Sequence, residues 1–342
     1  MKNIYSFLIL VIILFSFFTI NSAFCNDQTG GDYQFSIGTQ FGFVSGEALE
    51  LIYPTNTHVD LLSELTWEMK PVLYYGIQVD ISRSNFISAS GFFTSLSFRM
   101  GIPGVSGIHE NRDWQSDVNN ELTDFSSHTN KTKEFYLFDA AFGFSIPAGV
   151  FYIKPFINFS WMRFSYSGND GNGTYARRKS TNPDTYHSID DNPIKISYSG
   201  QEVIRYQQDW YLISAGFTIG TQVLFPLALD LSFQISPLTY CVSRDDHLSV
   251  IIFGNKSPHR VYKDYTSLGL FLEPAGKISI TAGRFDFSII GAYRYIGRTK
   301  GPAYSDFGNR GLFIQNGEAG AALSIFDVRF LVDFKIWQNL KN

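Results

Sequence analysis

The feature that most restricts what this chain can become is an apolar–polar alternation of period two that returns again and again with charges in its polar phase. Tyr33, Phe35, Ile37, Thr39, Phe41 and Phe43 alternate with Gln34, Ser36, Gly38, Gln40 and Gly42. The same pattern runs through Leu73–Ile81, Phe92–Met100, Tyr136–Ile146, Phe151–Trp161, Tyr211–Val223, Leu227–Cys241, Leu268–Leu272 continuing to Ile280, Phe285–Tyr295 and Phe326–Ile336, ten runs in all. Period two is the signature of a β-strand with one greasy and one polar face. The polar phase carries Asp139, Lys154, Asp230, Asp286, Arg294, Asp327, Arg329, Asp333 and Lys335. Charges in mid-strand do not suit the dry core of a sandwich. They suit a polar lumen, and an even number of strands with apolar residues outside is the outer-membrane barrel pattern. The spacing predicts an all-β fold: a ten-stranded antiparallel transmembrane β-barrel.

Composition agrees. Aromatic residues make up 17% of the chain and Phe alone accounts for 33 of 342 positions. A lipid-facing barrel with aromatic girdles uses such a supply. The chain opens with Lys2, an apolar run from Ile4 to Ile20, and Ser22-Ala23-Phe24-Cys25. This reads as a secretory signal peptide over residues 1–25, with the barrel over 26–342. Cleavage after Cys25 leaves Cys241 without a disulfide partner and moves the formal charge from −4 to −5, because Lys2 is lost. No basic patch argues for nucleic acid, and no later apolar stretch approaches the roughly 20 residues of a transmembrane helix.

Connections between the runs alternate in length. Short turns fall at Ser82–Asn85, Pro147–Gly149, Phe225–Pro226 and Ala282–Gly283. Long polar connections are expected at about 44–60, 102–133, 167–199, 242–262 and 297–322. In such barrels short turns face the periplasm and long loops the exterior. All six histidines (His58, His109, His128, His187, His247 and His259) fall in the long connections, which places any histidine chemistry at the outer rim.

Chemistry enters at Ser243-Arg244-Asp245-Asp246-His247. An Asp two residues before a His at the end of a strand puts both side chains on one face. The carboxylate can then hold one imidazole nitrogen and leave the other to take a proton from water. By itself Asp-x-His is a weak signal, because polar loops produce it by chance. A second cluster stands in the 102–133 region: Asn111-Arg112-Asp113-Trp114, then Leu122-Thr123-Asp124-Phe125-Ser126-Ser127-His128.

Taken together, in order and spacing, these motifs resemble the omptin family of outer-membrane proteases. Ser45-Gly46 leading to Glu50, Leu62-Ser63-Glu64-Leu65-Thr66-Trp67 and Gln315-Asn316-Gly317 add to the likeness, which covers most of the chain from Tyr33. The resemblance implies a ten-stranded barrel whose groove lies between the outer ends of opposing strands. It implies that Asp245 and His247 are a catalytic dyad, with His247 as general base toward a water. It further implies that Asp113, with Asn111 in place of an Asp, faces that dyad, and that Asp124 supports it. Glu50 would pair with the basic residue before the scissile bond. The implied partners are polypeptides with basic residues and outer-membrane lipid, including lipopolysaccharide through Arg163. No cofactor is implied.

This sequence departs from the family in ways that carry consequences. Asn111 removes one carboxylate of the pair opposite His247, and an amide cannot accept a proton. Asp113 is therefore expected to titrate without a like-charged neighbour, turnover is expected to be low, and Asn111→Asp is expected to raise kcat by about 10²-fold. Ser243 stands where the family has an Asp beside the floor Glu, so Glu50 is expected to lack an acidic neighbour. Phe159, Trp161 and Asp209 replace polar or basic residues around Arg163. Three functional classes fit: an endopeptidase acting at basic residues, a non-enzymatic barrel that kept the groove for binding, and a narrow porin. Ten strands leave little lumen once side chains fill it, which ranks the porin last.

Overall fold

The computed structural model describes residues 31–54, 61–85, 91–115, 121–179, 182–224, 226–306 and 313–338. Residues 1–25, His58 and Phe225 lie outside them. Among the described residues there is no helix. Ten antiparallel staves follow in chain order. β1 is Gly31–Tyr53 and β2 is Ser63–Asn85. β3 has two segments, Gly91–Gly101 and Gly104–Asp113. β4 is Asp124–Ala148, β5 Phe151–Tyr175 and β6 Glu202–Leu224. β7 (Leu227–Ser236 and Thr239–His247), β8 (Arg260–Ser267 and Phe271–Ala282) and β9 (Phe285–Ile296 and Gly301–Asp306) are also segmented. β10 is Phe313–Gln338. Each stave pairs with the next, and β10 pairs with β1 from Gln34↔Gln338 to Tyr53↔Glu318, which closes the ring. Closure removes the edges that lipid could not satisfy.

The lower half follows the alternation. Phe41, Ile77, Ile157, Ile213, Leu231 and Ile289 point outward and are exposed. The opposite phase points inward and several of its charges find partners, whereas Asp333 is buried with Oδ1 unpartnered. Arg99 bonds Asp327 at 2.6 Å and pairs with Asp139; Arg294 pairs with Asp139 and Glu273; Arg329 pairs with Asp327. Tyr74 also donates to Asp327. Lys335 meets Asp286 at 2.9 Å. Opposite charges at short range offset the cost of taking each from water.

The expected long loops are mostly strand. The stretches given to connections at 44–60, 102–133, 167–199, 242–262 and 297–322 contain strand over 44–53, 104–113, 124–133, 167–175, 242–247, 260–262, 301–306 and 313–322. Leu268 and Leu270, read as the start of the eighth strand, lie in a break between its two segments, and Leu227–Cys241 is likewise interrupted at Pro237–Leu238. The reason is a change of phase. On β2 the register slips beside Val44/Gly46, so that Leu65, Trp67 and Met69 are buried above Pro71 while Val72 and Tyr74 are buried below it. One extra residue turns every later side chain to the other face. β4 slips between Thr132 and Glu134 with the same effect. The breaks in neighbouring staves are bonded to one another: Ile102 N donates to Leu73 O (2.7 Å), Leu268 N to Thr239 O (3.0 Å) and Gly297 N to Leu270 O (2.9 Å). They form a belt that divides a membrane-spanning half from an upper half with its own core. Gly46 sits at this belt with φ 152°, and a Cβ there would meet Ser324 O at 2.0 Å, so a side chain is excluded.

This arrangement predicts that Arg99→Met destabilises the barrel by about 3–5 kcal/mol, because it strips a cation from two buried acids. Urea titration in detergent, read by the gel shift between folded and unfolded barrel, checks it; an unchanged midpoint would contradict the interior pairing.

Candidate active site

The upper core sets the floor of a groove. Trp67 stacks on His109 at 3.8 Å and on Tyr206 at 5.4 Å, and His109 stacks on His128 at 5.6 Å. Gln208 reaches from β6 across the interior to Leu49 O on β1 (2.8 Å) and accepts from Trp210 Nε1 (2.9 Å). These rings and amides plug the lumen beneath the site. Burial, then the neighbouring His128, pushes His109 well below the usual imidazole range; burial likewise lowers His128.

One wall is the end of β7. Cys241, Ser243 and Asp245 are buried in one phase, and His247 follows them on the same face. His247 Nε2 bonds Asp245 Oδ2 at 2.6 Å. Asp245 is 2% exposed, whereas the His247 side chain is 43% exposed. A sealed carboxylate thus fixes one nitrogen and leaves Nδ1 for solvent or substrate. Burial pulls the imidazole downward, but the charge and hydrogen bond of Asp245 and the charge of Asp113 outweigh it, and the net shift is upward.

The opposite wall comes from β2, β3 and β4. Asn111 Nδ2 donates to Asp113 Oδ2 (3.2 Å) and Asn111 Oδ1 accepts from Ser63 (3.3 Å). Asn111 and His247 line the same cavity of about 390 Å³. Asp113 is directly opposite Asp124 in the β3–β4 register, so the two side chains share a face. Burial and Asp113 raise Asp124 to about 7; burial raises Asp113 too, against Ser63, His247 and Asn111, which favour its charged form. The expectation that Asp113 lacks a like-charged neighbour is therefore wrong. Asn111 does remove one acid, but the strand register supplies another.

The floor holds a second correction. Glu50 on β1 does have an acidic neighbour besides Asp245. Asp264 on β8 is the register partner of Ser243, whose hydroxyl donates to Asp264 Oδ2 at 3.2 Å. Glu50 is 2% and Asp264 1% exposed. Burial first, then Asp245, Asp264 and Asp113, raise Glu50 well above its usual value. Burial raises Asp264 to about 7. Asp264 belongs to no motif. Its one sequence sign is its phase with Tyr262 and Thr266, hidden because that stretch reads as loop.

The same cavity holds a serine–histidine pair. Ser126 Oγ lies 3.0 Å from His128 Nε2, and His128 Nδ1 donates to Asp170 O at 2.6 Å. Both residues are buried, and Tyr198 packs on His128 at 5.3 Å. Arg163, lower on β5, is engaged by Asp209 (2.7 Å and 3.1 Å), approached by Glu134 (3.9 Å) and placed over Trp161.

The raised acids give a stability prediction. Asp264 binds a proton in the folded protein up to about pH 7, against an ordinary value of 3.8. Its contribution to stability is present below the lower value and is lost as pH rises through the higher one. Asp264→Asn should raise the unfolding temperature near pH 8 and change it little near pH 4, followed by circular dichroism in detergent. A lower unfolding temperature near pH 8 would contradict this.

Comparison with known proteins accords with this geometry. The omptin family model matches residues 31–290. The crystal structure of the outer membrane protease OmpT from Escherichia coli superposes with a TM-score of 0.76 at 15% identity, covering 89% of this chain and 97% of that one. The translocator domain of the autotransporter NalP from Neisseria meningitidis (11% identity, 96% of each chain) and the P. putida toluene transporter TodX (8% identity, 90% of each) reach only 0.32 and 0.29, too low to bear on the fold. No curated protein sequence matches. The ten-stave ring, its superposition on OmpT and a family match over most of the chain lead to one conclusion: this outer-membrane barrel belongs to the omptin family.

Proposed function

We propose that the protein is an outer-membrane endopeptidase that cleaves polypeptides at basic residues, with its groove open to the cell exterior. The observation that carries the proposal is the Asp245–His247 pair in a cavity that Asn111 also lines, with Asp113 near enough for its charge to act on the imidazole. In this reading His247 Nδ1 takes the proton of a water that attacks the peptide carbonyl. Asp245 orients the ring and stabilises the imidazolium. Asn111 and Asp113 hold the water from the other side, and the raised Asp124 shares a proton with Asp113 as a carboxylate pair does. Positioning supplies much of the rate. A peptide cation is drawn in by the acidic walls.

A serine nucleophile is the second reading, favoured by the 3.0 Å Ser126–His128 contact. The dyad is preferred because His247 opens to the groove, while Ser126 and His128 are 5% and 4% exposed. For lipopolysaccharide, the engagement of Arg163 by Asp209 favours a protein that does not depend on it, since a lipid phosphate has to displace that carboxylate.

Three outcomes are expected with a fluorogenic basic peptide and outer-membrane vesicles. His247→Ala should lower kcat by at least about 10³-fold. Activity should rise with pH through a value above the ordinary imidazole 6.5, because His247 must lose its proton and its neighbours hold it. Asn111→Asp should change kcat by less than about tenfold, because Asp124 already completes the acid pair; a 10²-fold gain would restore the view that Asp113 stands alone.

A further inference from the structure

Along β7 the groove changes character at His247. Below it the buried Ser243 and Asp245 stand beside Asp264, with Glu50 close enough to feel both acids. Above it the strand ends and a short hairpin follows, Ile251–Ile252 paired with Asn255–Lys256. The cavity of about 390 Å³ that His247 and Asn111 share extends to this second side, where Leu248, Val250, Ile252 and, from β6, Val203 and Ile204 line it. Among the described residues its lining includes Arg260 but no Asp or Glu. The hairpin is tied down. Ile251 N donates to Gln201 Oε1 (2.7 Å), and Gln201 Nε2 donates to Ile251 O (3.3 Å). Val250 N donates to Ser257 Oγ (2.9 Å), and Ser257 N donates back to Val250 O (2.8 Å). Leu248 N donates to Val203 O at 2.9 Å. A frame pinned in this way keeps the apolar side chains from collapsing onto one another. A concave apolar space with a few polar groups at its side is the usual form of a ligand pocket.

We propose that this cavity is the subsite for an aromatic side chain on the substrate residue that immediately follows the scissile bond. This rests on the peptide-cleaving reading and adds a second specificity to it. A basic residue held toward Glu50 leaves the peptide running past His247, so the next side chain meets the cavity. The lining decides what is accepted there. An apolar side chain gains by leaving water. A lysine or arginine finds no carboxylate in the lining and shares the space with Arg260, so the cost of taking its charge from water is not offset. Rings are preferred to aliphatic chains because Tyr175, Tyr198 and His128 also line the cavity. Tyr198 and His128 are tilted by 55° at 5.3 Å, which offers a third ring both a face and an edge. The groove thus reads opposite chemistries on the two sides of the attacked carbonyl, a charge before it and a ring after it.

The test uses the purified full chain in detergent and two readouts. In the first, phenylalanine amide, alanine amide and lysine amide are titrated calorimetrically, as mimics of the fragment that begins at the new amino terminus. Phenylalanine amide should bind at least about tenfold more tightly than either of the others. In the second, fluorogenic peptides with Arg–Phe, Arg–Ala and Arg–Lys junctions are compared by kcat/KM, and Arg–Phe should lead by at least about tenfold. Ile252→Trp, which fills the cavity, should abolish the preference for Phe over Ala in both readouts. Ile252→Glu should reverse the order, so that Arg–Lys is cleaved faster than Arg–Phe. A merely structural role for the hairpin predicts equal losses on all three peptides instead. Folding of each variant is checked by its heat-modifiable gel mobility. Equal or absent binding of the three amides overturns the proposal, and so does a wild type that cleaves Arg–Lys as fast as Arg–Phe; cleavage itself then still upholds the hydrolytic reading. Selective binding of phenylalanine amide with no cleavage of any peptide upholds the subsite and removes that reading.

Discussion

Every other feature of this protein depends on the pairing of β1 with β10. Twenty residue pairs join the first and last strands, from Gln34↔Gln338 to Tyr53↔Glu318. Without that seam the sheet has two edges, and lipid offers no hydrogen bond to an edge. With it, ten strands enclose an interior too narrow for a channel, and side chains fill it. The lower interior is held by arginines placed between acids, and the upper interior by a stack of rings running from Tyr206 through Trp67 and His109 to His128. The site rests on the second of these. Its walls are strands rather than loops, so Asp113, Asp124, Asp245 and His247 are positioned by strand register, which fixes side chains more tightly than a flexible connection does.

Rigid walls allow the groove to carry an electrostatic load. Glu50, Asp264, Asp124 and Asp113 all have carboxyls raised by burial. Such a cluster works against folding at neutral pH and in favour of a cationic ligand. The arginine-centred network below the belt keeps the barrel closed while the groove is strained. Along the barrel axis the buried arginine-centred pairs thus lie below the belt, and the cluster of Glu50, Asp264, Asp124 and Asp113 lies above it.

The sequence reveals the lower half well, because alternation there keeps its phase within each strand. Phe41, Ile77 and Ile157 lie outside, and Asp139, Asp230 and Asp327 inside, as the period requires. The upper half is obscured for a physical reason. Phase slips near Pro71, Lys133, Pro237 and Gly297, so residues that belong inside above the belt share a parity with residues that lie outside below it. Read in a single phase, Leu65 and Trp67 look misplaced, and strand becomes loop. Short motifs still locate Asp245 with His247, and Asp113 with Asn111, because local spacing survives a phase slip. Asp264 and the Asp113–Asp124 pairing do not survive it. Both depend on which residue of a neighbouring strand stands opposite, and register is a property of the pair.

The proposed chemistry comes down to which group attacks the peptide bond. Water activated by the Asp245-backed His247 forms no covalent bond to the protein; Ser126 activated by His128 forms an acyl ester. Cleavage of a single-site arginine peptide in the presence of hydroxylamine, with the products resolved by mass spectrometry, separates the two most directly. Attack by water predicts that every new carboxyl terminus is a free acid, that Ser126→Ala retains this product, and that no protein-bound acyl group accumulates in a single turnover. A hydroxamate product, or an acyl adduct on Ser126, would contradict the account.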